Sequence, residues 1–259
     1  MASAILGGLI RGHHPAAGLQ VVEPHAPQAA LLRERFGVTV EAAAGPALHA
    51  ADVVVWAVKP QMFATAAAAA AAHVGQALQL SVMAGIRSDA LVRSTGAERV
   101  VRAMPNTPAL IGRGVAGLYA RPAATAADRA IVEAILAPTG RSLWVADEVD
   151  LDAVTALSGS GPAYVFYFVE AMVEAAVEMG LPAAQARTLA LATFDGAAAL
   201  AQASDEQLQT LRERVTSKGG TTHAAISAME SLAVRPAIVS ALRAARARAR
   251  ELGDEFDAA

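Results

Sequence analysis

The chain contains no cysteine. Disulfides, thiolate catalysis and cysteine-ligated metal are excluded together. Charge is also scarce: 17% of residues are charged, and the net charge is only −3. Such a balance gives no general electrostatic reason to bind nucleic acid or an anionic membrane. The first residues lack the basic region of a signal peptide, and no uncharged apolar stretch has the length of a membrane span. The run "FATAAAAAAAHVG" (63–75) is alanine-rich, short and weakly hydrophobic, which suits a surface helix in an alanine-biased sequence. The six histidines show no metal-ligand spacing and read as surface residues, so no metal is expected. These absences leave a cytoplasmic globular protein, and 259 residues with 54% hydrophobic content provide for two domains with real cores.

The sequence opens inside a βαβ unit. Ala2, Ala4, Ile5, Leu6, Leu9 and Ile10 recur at helical spacing, and Gly12 and Pro15 end the run. An apolar strand, Leu19 to Val22, follows and closes at Glu23-Pro24. Helix feeding strand is the second half of such a unit; the strand that would precede it is absent. Beyond it, a helix near 27–36 and the segments "VTV", "ADVVVWAVKP", "LQLSVMAG", "RVVRAMP", "GVAGLYA" and "RSLWVAD" alternate with helical stretches. Alternation predicts a doubly wound, largely parallel, Rossmann-like sheet over residues 1–148, with "VVVW" covered on both faces. Residues 149–259 show helices only, with Gly161-Pro162 opening the second of them. Residues 186–201 are apolar almost all round, more than a small helical domain can bury, so a partner subunit is expected. Glu170 and Glu174, four apart, read as a solvated stripe.

Three segments could carry chemistry. In "VTSKGGTTHAAISAME", Gly219 and Gly220 free the backbone, Ser217, Thr221 and Thr222 supply hydroxyls, and a helix follows at once. Either this is an ordinary helix N-cap, or the unpaired amides and dipole cradle a carboxylate or phosphate. In "WAVKPQMF", Lys59-Pro60 ends a strand where open α/β sheets bind ligands; a solvated lysine explains it equally. In "RAMPNTPALIG", prolines brace Asn106, which can donate and accept toward a planar amide such as nicotinamide, though a plain turn does nearly as well. Ser158 and Ser160 in "LSGSGP" lack the spacing and preceding strand of a hydrolase nucleophile.

Taken in order and spacing, "AVKPQ", "MPNTPA", "LSGSGPAY" and "VTSKGGTTHAAI" resemble the pyrroline-5-carboxylate reductase family, from Met1 to about Leu252. The resemblance implies an N-terminal Rossmann domain, an all-α C-terminal dimerisation domain, and homodimers or rings of dimers. It implies NAD(P)H-dependent reduction of 1-pyrroline-5-carboxylate to L-proline, the last step of proline biosynthesis. It puts the substrate carboxylate in the Ser217–Thr222 segment, on backbone amides of Gly220 and Thr221, with the Thr222 hydroxyl on the ring nitrogen as the catalytic contact. It lines the dinucleotide, NADP or NAD, with Ala57, Val58, Lys59 and Pro60 and with Met83, Ala84 and Gly85. Asn106 lies near it, and Glu148 stands at the domain junction. The family's first strand and Gly-Gly-Gly-Asn turn normally precede the Met-Ala-Ser-Ala found here at residue 1. Without them the chain as written is expected to bind dinucleotide weakly, because the turn's amides hold the pyrophosphate. Glu23 leans toward NADH, since an acid at the end of the second strand holds a ribose diol and repels a 2′-phosphate. Two alternatives remain. One is a related reductase for another small carboxylate, though "LSGSGPAY" lacks the catalytic lysine of such dehydrogenases. The other is a non-enzymatic dimeric binding protein.

Overall fold

The computed structural model describes residues 1–258. Contacts divide the chain into one unit of residues 1–162 with 244–259, and a second of residues 163–243. The division falls later than the expected 148. The reason is close packing: a Cβ on Gly117 would stand 2.7 Å from Val154, and one on Gly159 would stand 2.5 Å from Met104. Residues 150–159 are therefore packed against the sheet.

The first unit begins with helix α1 (Ala2–Arg11), strand β1 (Gln20–Val22), helix α2 (Ala26–Phe36) and strand β2 (Thr39–Glu41). Then come β3 (Val53–Trp56), α3 (Phe63–Val74), β4 (Leu78–Ser81), α4 (Ser88–Thr95) and β5 (Val100–Met104). β6 (Gly114–Ala120), α5 (Ala126–Leu136), β7 (Gly140–Trp144) and α6 (Asp150–Val154) complete it, ahead of a π turn, Thr155–Gly159. Local chemistry sets several boundaries. Gly37 at φ 63° ends α2, and a Thr125–Asp128 capping box starts α5.

The strands form two sheets. β1 and β2 pair in parallel, and β3–β4–β5–β6–β7 form the other sheet in that order. Its pairs are parallel except β5 with β6. The connection from Met104 to Gly114 is too short for the crossover that parallel neighbours need, so β6 turns back. No strand among the described residues pairs with the second edge of β1 or of β3. This changes the expectation for "VVVW": Val53, Val54 and Val55 are half-buried, whereas all four residues of β4 are buried. An edge strand has cover on one side only. α1 serves both sheets, with Ile5 in the core around Leu80, Val101 and Leu118, and Leu6 and Ile10 against Leu32, Val38 and Val40. On the opposite face of the larger sheet, Trp56, Phe63, Val74, Met83, Leu91 and Val100 pack together.

The second unit is helical throughout. It holds most of α7 (Gly161–Glu178), then α8 (Ala183–Gln202), α9 (Leu208–Arg214), α10 (Thr221–Ser231) and the first part of α11 (Val234–Ala258). Within the single chain only Ala186 and Ala190 of α8 are buried. Phe166, Tyr167 and Met172 of α7 and Leu189 and Leu200 of α8 lie exposed. Those faces match the sequence-based expectation that this unit cannot cover its own apolar surface. No single helix among the described residues is long and apolar enough to cross a membrane.

Candidate active site

The candidate residues fall into two groups, one in each unit. In the first unit, β3, β4 and β5 run parallel side by side, so their C-terminal ends share one edge of the sheet. Ala57–Pro60, Met83–Gly85 and Asn106 all follow directly at that edge, the side on which open α/β sheets take ligands. The support beneath is firm. Trp56 Nε1 donates to Gln79 Oε1 at 2.7 Å, and the Gln79 amide donates to the carbonyls of Val74 and Ala77. Gln79 is thereby a fully satisfied buried polar group. Trp56 meets Phe63 edge to face, 5.4 Å between centroids. Met83 N–H donates to Ser81 Oγ at 3.3 Å, which shapes the start of the second turn.

Several candidates turn out to have other work. The Met83 side chain is a core residue, so only its backbone faces the edge, while Lys59 and Ala84 are exposed. Asn106 donates through Nδ2 to the Ser158 carbonyl at 3.2 Å and accepts at Oδ1 from Val115 N–H at 3.0 Å. Both ends of its amide are thus engaged in tying β5 to the π turn and β6. One N–H and one oxygen lone pair of the amide remain beyond these two bonds. Glu148 accepts from Ser88 N–H at 2.6 Å, from Ser88 Oγ at 2.5 Å and from Arg102 Nη1 at 2.8 Å. It therefore binds the N-terminus of α4 to β5, where a carboxylate also complements the helix dipole. Glu148 is thus a structural strut at this edge.

Sequence reading missed two buried polar atoms here. Arg102 Nε and Ser158 Oγ have no hydrogen-bond partner. The charged residue inside the apolar run "RVVRAMP" was the one visible signal. Asp152 lies in the same region, and burial pushes its carboxyl up against the opposing pull of Arg102, Arg87, Arg246 and Arg250.

In the second unit the chain leaves α9 and turns. Thr216 Oγ1 donates to the Arg212 carbonyl at 2.6 Å, and Gly220 N–H donates to the Ser217 carbonyl at 3.0 Å. Gly219, third in that turn, sits at φ 75°, a conformation that favours glycine. Gly220 is the N-cap of α10, and no side chain caps the helix. Its first intrahelical bond runs from Ala224 N–H to the Gly220 carbonyl. The amides of Thr221, Thr222 and His223 are consequently the unspent donors of the first turn. This corrects the expected donor pair. The Gly220 amide is consumed by the turn that the glycines make possible, whereas the amides of Thr222 and His223 join that of Thr221. With no acidic residue in the first turn, the end of α10 is open to a small anion. Among the described residues no group of three or more histidines and carboxylates could hold a metal ion.

The chain was compared with known proteins. Residues 148–252 match the family profile for pyrroline-5-carboxylate reductase dimerisation, and residues 1–85 match that of coenzyme F420-dependent NADP oxidoreductases. The pyrroline-5-carboxylate reductase of Pseudomonas aeruginosa is 41% identical over 258 residues, covering 99% of this chain and 94% of that protein. Among solved structures, that of the Coxiella burnetii enzyme superposes with a TM-score of 0.90 at 34% identity, covering 97% of this chain and 94% of the other. The Plasmodium falciparum enzyme, solved with NADP bound, gives 0.86 at 26% identity over the same shares. The turns gathered at one sheet edge, the open first turn of α10 and these likenesses converge: the chain belongs to the pyrroline-5-carboxylate reductase family.

Proposed function

We propose that the chain reduces 1-pyrroline-5-carboxylate to L-proline, the closing step of proline biosynthesis, using NADPH or NADH. The single observation that carries the substrate assignment is the uncapped N-terminus of α10, with no neighbouring acid to fill it. The substrate is a small ring bearing one carboxylate, and three unspent amides at a positive helix end match that group.

Dinucleotide binding fits the first unit. The turns Ala57–Pro60 and Met83–Gly85 leave adjacent parallel strands, and Gly85 turns the chain at φ 78°. The first turn of α1 has neither an acidic residue nor a side-chain cap, which suits a pyrophosphate. A reduced nicotinamide bound at this edge supplies the hydride that the imine carbon receives. The chain's own residues do the rest. The amides of Thr221, Thr222 and His223 fix the carboxylate, and the Thr222 hydroxyl contacts the ring nitrogen. The imine arrives protonated, so hydride addition at carbon yields the neutral amine with no side-chain acid required. Rate then comes from holding the ring in one orientation.

The exposed apolar faces of α7 and α8 support a homodimer or a ring of dimers, in a cytoplasmic setting. The direct test follows nicotinamide oxidation spectroscopically with 1-pyrroline-5-carboxylate as the only acceptor. Turnover that saturates in the imine and is inhibited by L-proline is expected. No turnover with this imine, together with turnover of a keto acid, refutes the assignment.

A further inference from the structure

The last turns of α11 return to the first unit and pack on the segment that follows β4. A Cβ built on Gly85 would stand 3.0 Å from Phe256 Cδ2, so the ring lies directly against that glycine. Phe256 also joins the core around Trp56, Phe63, Met83 and Ile86. Arg87 spreads its fork over two carboxylates, Nη2 to Asp254 Oδ1 at 2.6 Å and Nη1 to Asp257 Oδ2 at 2.9 Å. Arg93 Nη2 reaches the other Asp257 oxygen at 3.4 Å. Gly253 is the residue that lets the guanidinium in, since its Cβ would come within 3.0 Å of Arg87 Nη2.

This contact occupies a segment with little else to define it. Upstream, the backbone is fastened at Met83 by Ser81 Oγ; downstream, at Ser88 by Glu148. Between these anchors, Ala84–Arg87 holds a glycine at φ 78° and is positioned by Ile86 in the core and by Phe256, Asp254 and Asp257 of α11. The ion pairs are partly exposed and individually weak, so their value is in register, while the half-buried ring supplies most of the grip. The dimerisation profile ends at residue 252, ahead of the clamp's side chains. Asp254, Phe256 and Asp257 thus lie beyond that profile, whereas Gly85 falls within the other matched segment, residues 1–85.

We infer that the C-terminal clamp of Phe256, Asp254 and Asp257 on Gly85 and Arg87 is a positioning device that sets the shape of the Met83–Gly85 turn and with it the affinity for the nicotinamide dinucleotide. The inference rests on the reading that this turn lines the dinucleotide. Its residues touch no reacting atom; they act through the backbone of the turn. Loosening the turn lowers dinucleotide affinity and leaves the α10 carboxylate contact intact.

The test uses full-length Phe256→Ala, the double variant Asp254→Asn with Asp257→Asn, and Ala84→Glu, which places a carboxylate on the exposed turn itself. Dinucleotide binding is read by nicotinamide fluorescence without substrate, beside Tm and the KM of each substrate. About 5- to 20-fold weaker dinucleotide binding is expected in Phe256→Ala and a smaller, salt-dependent loss in the double variant, with imine KM unchanged. Phe256→Leu, which keeps a large apolar side chain against the turn, restores most of the binding. If Ala84→Glu weakens dinucleotide binding while both clamp variants bind normally, the clamp is refuted and the reading of the turn stands. If no variant changes binding, both are refuted. A Phe256→Ala protein that loses Tm, imine KM and dinucleotide binding together, with an unaffected double variant, also refutes positioning.

Discussion

Replacing Gly220 with alanine separates two uses of the glycine pair. Gly220 has φ −81° and ψ 172°, which any residue adopts, so alanine brings no backbone strain. Its Cβ would nevertheless fall 2.7 Å from Ser217 Oγ and 3.2 Å from the Ser217 carbonyl oxygen. The hydroxyl can rotate away; the carbonyl accepts the Gly220 amide and moves only if the turn opens. An opened turn re-aims the amides of Thr221 and Thr222. One charge-assisted hydrogen bond is worth about 1.5–3 kcal/mol, so the imine KM should rise roughly 10- to 100-fold. Gly219→Ala is the contrast. No atom lies within 4 Å of its Cβ, but φ 75° costs an alanine about 1–2 kcal/mol. That variant should lose roughly 2–8 °C in Tm. Steady-state kinetics in each substrate, with thermal unfolding alongside, distinguishes the two. An unchanged imine KM in Gly220→Ala refutes the reasoning, as does a rise shared equally by the dinucleotide KM.

Thr222→Val keeps shape and removes the hydroxyl; kcat should fall about 10- to 100-fold with Tm nearly unchanged, by steady-state kinetics and calorimetry. Glu23 accepts the His25 amide at 2.9 Å from the end of β1, and Glu23→Ser should shift the kcat/KM ratio toward NADPH, measured with both dinucleotides. The Arg99 guanidinium, aided by the Thr125 amide and hydroxyl, holds the Asp128 carboxyl down to about 2. Asp128 is only 1% exposed, and a folded value below the unfolded one stabilises at pH above about 4 and is lost as pH falls through 2. Asp128→Asn should therefore cost about 2 kcal/mol at neutral pH and little near pH 2, by denaturant titration at both. Phe166→Glu, on the exposed face of α7, should shift the chain toward monomer in sedimentation.

Element order was legible because periodicity reports burial. Every segment expected as a strand became one, the helix expected near 27–36 spans Ala26–Phe36, and the helix at Gly161 starts where Gly161-Pro162 placed it. The antiparallel turn of β6 was legible only through connection length, which composition does not express. The edge position of β3 was hidden, since "VVVW" looks the same in a central strand and in a half-covered one. Within the site, residue type gave location and spacing but not partners. Asn106 and Glu148 have the right groups at the right edge, and their partners in the fold, Val115, Ser158, Ser88 and Arg102, are distant in sequence. The Gly220 amide was misassigned for a similar reason: a turn closed by its own donor cannot also offer that donor. The return of Phe256 and Asp257 to Gly85 and Arg87 spans some 170 residues and left no trace in local pattern.

The central claim is that the unspent amides at the start of α10 hold the carboxylate of a small cyclic amino acid or imine. Crystals soaked with L-proline test it most directly. The account predicts the proline carboxylate against the amides of Thr221, Thr222 and His223, with the ring nitrogen at the Thr222 hydroxyl. Proline bound elsewhere in the chain, with that helix end empty, contradicts it.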